Sequence, residues 1–293
     1  IHLFKGPSIS SILKSVLGHE ENIRALLHSL VDQRMAHSLL FVGIDGIGKK
    51  KVALGIAQAL ICELEMAHRP EGFACGECPS CRRIELQQSE NLLLISPTSA
   101  QIKIEQSREA LKFLSLKNVA ASRVVIINEA HKMNPQAANA LLKVIEEPPA
   151  GSYFILLASS TSSVLPTIKS RCQIVSFSPL TSEQIQNVVS ADSWILDSAQ
   201  GSVSLAQSFF DEEVVALREK SFRVWQSLVN HRFTEALGLL KELSTTKDVC
   251  LLTTRFWQQL LRDVIVAKSH PSFVINKDYE DLLKLLEQKV GDG

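Results

Sequence analysis

The segment GIDGIGK at 43–49 constrains the fold of this chain more than any other part of its sequence. It follows the apolar run 39–42 and precedes a stretch of helical periodicity. In that setting a glycine-rich loop turns its backbone N–H groups and a helix N-terminus toward a phosphate. The candidate phosphate-binding residues are Gly43, Gly46, Gly48 and Lys49. Because such loops lie between a strand and a helix of a parallel sheet, the segment predicts an α/β fold.

Short apolar runs alternate with helical patterns through the first two thirds of the chain. Candidate strands lie at 39–42, 92–95, 124–127, 154–157 and 174–175. Helical patterns lie at 20–33, 49–64 and 135–147, the last with Asn134 as its cap, Pro135 at its first position and Pro148 as its stop. Nearly continuous apolar runs are typical of strands covered on both faces. The alternation therefore predicts a doubly wound parallel sheet.

The pattern changes near Pro179, and 293 residues are more than one hydrophobic core usually serves. We expect an α/β domain over 1–178, which includes a four-cysteine insertion at 62–81. A small helical domain is expected at 179–208, with Thr181 capping its first helix. The rest, 209–293, reads as all helical, and Trp225 and Trp257 there are predicted to be core residues.

Lysine plus arginine equals aspartate plus glutamate at 31 each, so the formal net charge is zero. A protein that binds nucleic acid mainly through phosphates would normally be basic. Any DNA contact is therefore expected to be local or shared with partners. No apolar run approaches the roughly 20 residues that a membrane span needs, and the N-terminus lacks a signal-peptide pattern. We expect a cytoplasmic protein.

The two positions that should hold a magnesium ion carry the wrong side chains. Lys50 stands where a phosphate loop has Ser or Thr, and an ammonium group repels a cation instead of binding it. After the run 124–127, Asn128 stands where an aspartate would hold the metal through water. Glu129, the residue expected to orient the attacking water, is present. The expectation is a site without catalysis, at which ATP binding is doubtful, and a working enzyme with unusual metal ligands is the alternative.

Four of the six cysteines fall within twenty positions: Cys62, Cys75, Cys78 and Cys81. Four thiolates at these spacings suit a closed, tetrahedral zinc site that stabilises a small loop. An iron–sulfur cluster is the second interpretation and a set of reduced, buried cysteines the third. Cys172 and Cys250 stand alone and are predicted to be buried thiols.

Taken together, these motifs resemble the bacterial clamp-loader ATPases of the AAA+ class over about residues 15 to 208. The resemblance rests on the phosphate loop, the cysteine insertion and the Asn128-Glu129 segment. It also rests on four further segments: AHSLLF at 36–41, NALLK at 139–143, EEPP at 146–149 and LPTIKSRC at 165–172. It implies an AAA+ domain at 1–178, a lid at 179–208 and a collar that joins subunits at 209–293.

Within this family the sequence resembles the delta-prime subunits more than the gamma/tau motor subunits. Lys50 and Asn128 replace the motor's magnesium-binding residues. Ser204 occupies the position where the lid of the family's ATPases usually carries a nucleotide-sensing arginine. The resemblance therefore implies that this chain does not hydrolyse ATP. A gamma/tau-like ATPase with altered metal ligands is the alternative.

The resemblance assigns Arg171, in the S-R-C segment, to the ATP site of a neighbouring subunit, where it would act in trans. The competing interpretation is an arginine that pairs with a local carboxylate. The implied partners are gamma/tau and delta subunits in a hetero-pentamer, which places the sliding clamp on primed DNA. A zinc-containing nucleic-acid-binding module is a further reading of the chain, although the insertion at 62–81 holds no lysine.

Overall fold

Five parallel strands form the sheet of the first half of the chain, in the order β2-β3-β4-β1-β5. The computed structural model describes residues 11–115 and 122–291; the parts of the predicted domains at 1–10, 116–121 and 292–293 lie outside the described residues. The strands are β1 (Ser38–Val42), β2 (Leu92–Ile95), β3 (Arg123–Ile127), β4 (Ser152–Ala158) and β5 (Gln173–Ser176). The predicted doubly wound parallel sheet is therefore confirmed.

Helices cover both faces of this sheet. On the first face lie α1 (Glu20–Val31), α2 (Lys49–Ile61) and α3 (Pro79–Glu85); on the second lie α4 (Ile104–Ser115), α5 (Pro135–Glu146) and α6 (Pro166–Lys169). Successive residues of β1 alternate between the two, so that Leu39 and Phe41 join the first core while Leu40 joins the second. Both faces of the central strands β1, β3 and β4 are buried, which explains their continuous apolar runs, whereas the edge strand β5 is largely exposed.

Capping residues fix where the helices begin and end. Asn134 accepts a hydrogen bond from the backbone N–H of Ala137 at 2.8 Å, so α5 starts where its cap predicted. Helix α2 ends at Ile61, three residues before the predicted end, because Cys62 turns to ψ 133°. Arg69 satisfies carbonyls at this end of the helix by donating to Ala59 at 2.6 Å and to Cys62 at 2.7 Å.

The chain divides into two compact units between Pro179 and Leu180. The second unit is helical, as predicted, and Thr181 caps its first helix in a reciprocal box with Gln184. Its helices are α7 (Ser182–Gln186), α8 (Ser193–Ser198), α9 (Val203–Ser208), α10 (Glu212–Val229), α11 (Phe233–Leu243), α12 (Lys247–Ser269) and α13 (Glu280–Gly291). The further division of this unit into a lid and a collar stays a prediction.

A buried arginine joins several elements of the second unit. Arg218 on α10 donates to both carboxylate oxygens of Asp278, at 2.6 and 2.9 Å, and to the side-chain oxygen of Asn276 at 2.8 Å. Its guanidinium lies 3.9 Å from the ring centre of Trp194 on α8. Arginine tolerates this depth because the bidentate pair and the aromatic face replace its lost hydration.

The two isolated cysteines differ from each other. Cys172 is half-buried, and burial raises the pKa of its thiol to about 12. Cys250 is exposed, so the prediction of a buried thiol is wrong at that position. It lies in the first turn of α12, whose buried residues begin at Thr253.

The longest helix of the described residues is α12, with 23 residues. Neither it nor any other helix in the described part of the chain has the length and apolar character to span a membrane.

Candidate nucleotide site, cysteine cluster and interface arginine

The phosphate loop leaves the carboxyl end of β1 and enters α2. The backbone N–H of Gly43 donates to the carbonyl of Ala158 at 3.2 Å, which fastens the start of the loop to the end of β4. Gly46 and Gly48 have φ angles of 80° and 105°, in the left-handed region that favours glycine. A side chain at 43 would place its Cβ 2.5 Å from the carbonyl oxygen of Phe177. The loop therefore needs its glycines for conformation and for close packing.

Lys49 points into this loop instead of into solvent, with only 7% of its side chain exposed. Its ammonium donates to the carbonyls of Gly43 at 2.6 Å and Ile44 at 2.7 Å, and lies 3.4 Å from the carboxylate of Asp45. Burial lowers the pKa of Lys49, while Asp45 opposes that effect. The carbonyl oxygens of the loop thus hold the ammonium of Lys49 inside the loop, which is where the lysine of a phosphate loop contacts the phosphates.

The positions that would hold magnesium offer no anionic ligand. Lys50 is exposed on the first turn of α2, and its ammonium contacts no acceptor in the described part of the chain. Asn128 follows β3, fixed by a hydrogen bond from its backbone N–H to Ile95 at 2.8 Å. The strands are parallel, so the ends of β1, β3 and β4 meet at one edge of the sheet. This edge carries a cation and a neutral amide where a metal would need oxygen anions.

Glu129 is engaged by a neighbour that the sequence did not reveal. Its backbone adopts a left-handed conformation, φ 51°, and its carboxylate forms an ion pair with the ammonium of Lys132. A carboxylate that already accepts from an ammonium has fewer free lone pairs with which to orient a water molecule. The pair was missed because left-handed backbone at a glutamate is rare and leaves no sequence signal.

Two serines at the same edge were also missed. Ser159 and Ser160 follow β4, between the loop after β1 and the segment after β3. Ser160 accepts from the backbone N–H of Ser163 at 3.3 Å, and its hydroxyl lies 3.0 Å from that of Ser162. The available signal was a pair of polar residues directly after an apolar strand, at the carboxyl end where ligands of such sheets bind.

The four predicted cysteines converge. The Sγ atoms of Cys62, Cys75, Cys78 and Cys81 all lie within 4.8 Å of one another, and all four are free thiols. The Sγ atom of Cys75 lies 3.6 Å from that of Cys62 and 3.8 Å from that of Cys81. Thiolates around one tetrahedral ion at about 2.3 Å are separated by about 3.8 Å. The cluster therefore has the dimensions of a single-ion site and can hold a metal ion.

Backbone N–H groups point at these sulfur atoms. The N–H of Cys78 donates to the Sγ of Cys75 at 3.3 Å, and that of Cys81 to the Sγ of Cys78 at 3.4 Å. Burial disfavours the thiolate of Cys75, but donors from Cys78, Glu77 and Cys62 outweigh it and lower its pKa to about 7. Burial raises the pKa of Cys62 and of Cys81. A bound cation would have to displace protons from these two thiols.

The cysteine insertion is fixed to the phosphate-loop helix. Gln58, fully buried on α2, donates to the carbonyl of Cys81 at 3.3 Å and accepts from the N–H of Ile12 at 2.9 Å. Ser80 donates to Glu63 through both its hydroxyl and its backbone, at 2.6 and 3.1 Å. The segment 75–81, expected to be a loop, enters helix α3 at Pro79, with Cys78 as the N-cap residue. Cys78 is thus both a candidate metal ligand and the cap of α3. The cysteine spacing alone indicates the ligand and gives no sign of the helix.

Arg171 lies at the opposite edge of the sheet from the phosphate loop. Strands β1 and β5 are parallel, and their pairing begins with Leu39 beside Gln173. Arg171 comes two residues before Gln173, so it lies at the amino ends of these strands. Gly43 lies four residues beyond Leu39, which is about 13 Å along the strand direction. Arg171 therefore lies at the amino ends of the strands, away from the loop of its own chain.

Comparison with known proteins assigns the chain to a family. The family described as "DNA polymerase III, delta subunit" matches residues 18–181, more than half of the sequence. The chain belongs to this family of DNA polymerase III clamp-loader subunits. The match covers the phosphate loop, the cysteine cluster and Arg171, and so the clamp-loader resemblance is confirmed.

Relatives of this clamp-loader chain carry both kinds of subunit name. The tau/gamma subunit of Haemophilus influenzae is 31% identical over 78% of this chain and 33% of its own length. The delta' subunit of Bacillus subtilis is 33% identical over 56% of this chain and 49% of its own length. This chain thus spans less than half of the curated relatives it matches here. A gamma subunit-related protein of Thermotoga maritima shares the fold, with a TM-score of 0.51, 19% identity, and 90% and 99% of the two chains covered.

Proposed function

We propose that this chain is a non-catalytic clamp-loader subunit of the delta-prime type, which helps to load the sliding clamp on primed DNA beside gamma/tau and delta subunits in a hetero-pentamer. The observation that carries the proposal is a set of side chains at the carboxyl ends of the strands, where magnesium and the attacking water would be held. Lys50 and Asn128 replace both magnesium ligands, and Lys132 occupies the carboxylate of Glu129. Both kinds of relative match the chain, so these side chains, more than overall similarity, support the choice.

Hydrolysis of ATP needs a metal ion to neutralise charge on the transferred phosphoryl group. Lys50 puts a positive charge at that place, and two unit charges about 4 Å apart repel by ~1 kcal/mol even in water and by ~4 kcal/mol near a protein surface. Asn128 adds no negative charge to offset this repulsion. The intact glycines and Lys49 leave phosphate binding feasible. The alternative, a gamma/tau-like ATPase with altered ligands, is favoured by that intact loop alone.

Arg171 would act in trans on the ATP site of an adjacent gamma/tau subunit. Its position at the edge opposite its own phosphate loop supports a role outside its own chain. A guanidinium supplied by a neighbour stabilises the charge that develops on the phosphoryl group, and this contribution requires no nucleotide in the chain that supplies it. A subunit can therefore lose hydrolysis and still be needed for it.

The cysteine cluster would hold a structural zinc ion. Its separations of 3.6 and 3.8 Å between sulfur atoms match ligands of one ion. In a multi-iron cluster the thiolates bind different irons and lie farther apart, which disfavours that reading. Four sulfur ligands leave no open position, so the ion would stabilise the insertion at 62–81 and take no part in catalysis.

The first test is Mg-ATP hydrolysis by the purified chain, measured by phosphate release, with calorimetry for binding. We expect no turnover above a Lys49→Ala control, with binding that does not depend on magnesium. Magnesium-dependent turnover that disappears in Lys49→Ala would contradict the proposal and make the chain a motor subunit. In a reconstituted loader, Arg171→Ala is expected to reduce ATP hydrolysis by the neighbouring subunit about 10³-fold or more.

A further inference from the structure

The guanidinium of Arg171 is held by its own chain through Nε and Nη1. Its Nε donates to the Oε2 atom of Glu146 at 2.8 Å, and its Nη1 donates to the carbonyl of Thr167 at 3.2 Å. Nη1 also lies 3.4 Å from the hydroxyl of Ser170. Glu146 is the last residue of α5, whose end is fixed to β1 because Ser38 donates to the carbonyl of Ile145 at 2.8 Å. The contacts therefore come from rigid elements of the fold.

These contacts engage Nε and Nη1 and leave Nη2 available. Nη2 has no acceptor among residues 11–115 and 122–291, and a third of the Arg171 side chain is exposed. Arginine presents its donors as a planar fork, and two parallel donors match two oxygens of a phosphate. An arginine anchored through Nε and partly through Nη1 presents the remaining donors in a fixed direction.

We propose that Glu146 is a positioning residue for Arg171, which orients the guanidinium toward the phosphoryl group of a nucleotide bound by the adjacent subunit. This inference rests on the proposed function, since it assumes that Arg171 acts in trans. A free arginine samples many rotamers, and ordering them costs free energy each time the group is used. The contact with Glu146 orders the Arg171 side chain before the subunits associate. This matters because a misplacement of about 1 Å in such a group can lower the rate by a factor of about 10².

A purely structural role is a poor account of the pair. The Glu146 side chain is 57% exposed, and exposed ion pairs add little to stability because water and salt screen them. The pair also spans 25 positions in sequence and joins the end of α5 to the residue before β5. It therefore fixes the direction of one side chain more than it holds the fold together.

The test uses the clamp loader reconstituted with its cognate gamma/tau and delta subunits, in which kcat and KM for ATP are measured with clamp and primed DNA. Glu146→Ala is expected to lower kcat about tenfold, with KM, assembly and the unfolding temperature of the chain unchanged. Glu146→Gln keeps an acceptor for Nε and is expected to retain kcat within about twofold of the unmodified protein. Glu147→Ala is the matched control, because it removes the same charge from the next residue and leaves Arg171 paired.

A double variant separates this inference from the proposed function. Glu146→Ala combined with Arg171→Ala should be no slower than Arg171→Ala alone, because Glu146 acts only through the arginine. If Arg171→Ala is slow while Glu146→Ala is as fast as the unmodified protein, positioning is wrong and the trans role stands. Equal losses in Glu146→Ala and Glu146→Gln would also overturn positioning. If Arg171→Ala itself has no effect, the proposed trans role fails.

Discussion

Glu129 and Lys132 form an ion pair just past the end of β3, between a carboxylate expected to act as a base and an ammonium three residues later. The left-handed backbone at Glu129 starts the turn that brings the two together. The sequence at this position keeps the glutamate expected of a working site, and the carboxylate of that glutamate is paired with Lys132. Under the proposed function, the replaced metal ligands and the pairing of Glu129 can therefore be tested separately.

Restoring the metal ligands alone should restore binding more than turnover. We expect the double variant Lys50→Thr/Asn128→Asp to bind Mg-ATP, because a hydroxyl and a carboxylate then face the cation. Adding Lys132→Ala frees Glu129 and should raise phosphate release at least about tenfold over the double variant. Equal rates in the double and triple variants would show that the ion pair is without influence. Lys50→Thr alone serves as the control for the charge change.

Metal removal should destabilise the first unit. Cys81 is fully buried, so Cys81→Ser is expected to abolish zinc binding and to lower the free energy of unfolding by more than about 3 kcal/mol, a fraction of the ~10–16 kcal/mol that structural zinc supplies in small domains. Zinc content by mass spectrometry and thermal unfolding measure both effects. The exposed Cys250, changed to serine, should leave both unchanged. A purified chain without metal but with the same thermal stability would contradict the zinc assignment.

In chelator-treated protein the cysteines should react in a defined order with iodoacetamide. Cys75, with its pKa lowered to about 7, is about half thiolate at neutral pH and is expected to be alkylated first, at a rate that falls as the pH drops below 7. Burial raises the pKa of Cys62 and Cys81, so these thiols stay protonated there. Cys172, whose pKa is about 12, provides an internal control. Peptide mapping that finds Cys81 modified before Cys75 would refute this order.

Arg218 should matter to stability far more than an exposed pair on the same helix. Arg218→Ala removes the partner of Asp278 and of the side-chain oxygen of Asn276, and is expected to cost ~2–3 kcal/mol. Lys220 pairs with Glu242 at 2.7 Å, with about half of each side chain exposed, so Lys220→Ala should cost less than ~1 kcal/mol. Urea unfolding followed by tryptophan fluorescence compares the two. Similar midpoints for both variants would argue against the network.

Much of the α/β unit could be predicted because its signals are local. The central strands β1, β3 and β4 are buried on both faces and read as apolar runs, and α5 carries its cap and stop beside its own ends. Helix α4 was not predicted, since its buried positions include Ser107 and Ala110, which weaken an apolar stripe. Its first residue, Ile104, directly follows Lys103, and lysine is not among the residues that usually cap a helix. Small and polar buried residues thus account for the missing helix.

The site was predictable in its residues and not in its contacts. Glycines, cysteines and the substituted ligands are identities that a sequence prints directly. The pairing of Arg171 with Glu146 depends on where α5 ends relative to β5, and the pairing of Glu129 with Lys132 depends on one unusual φ angle. The first contact arises from tertiary geometry and the second from a local backbone conformation, and neither periodicity nor spacing encodes them.

The phosphate loop and Arg171 occupy opposite edges of one sheet, and this gives the subunit a polarity. Contacts between unlike surfaces add in one direction, head to tail, and a row of such subunits has two different ends. Under the proposed function, this chain contributes Arg171 to a neighbour's ATP site but has no working phosphate loop of its own. Such a chain fits only the end of the row at which its own loop has no partner. The number of working sites in such an assembly then equals the number of interfaces where a functional loop meets a neighbour's arginine. Loss of hydrolysis in this chain would therefore specify its place in the order of subunits.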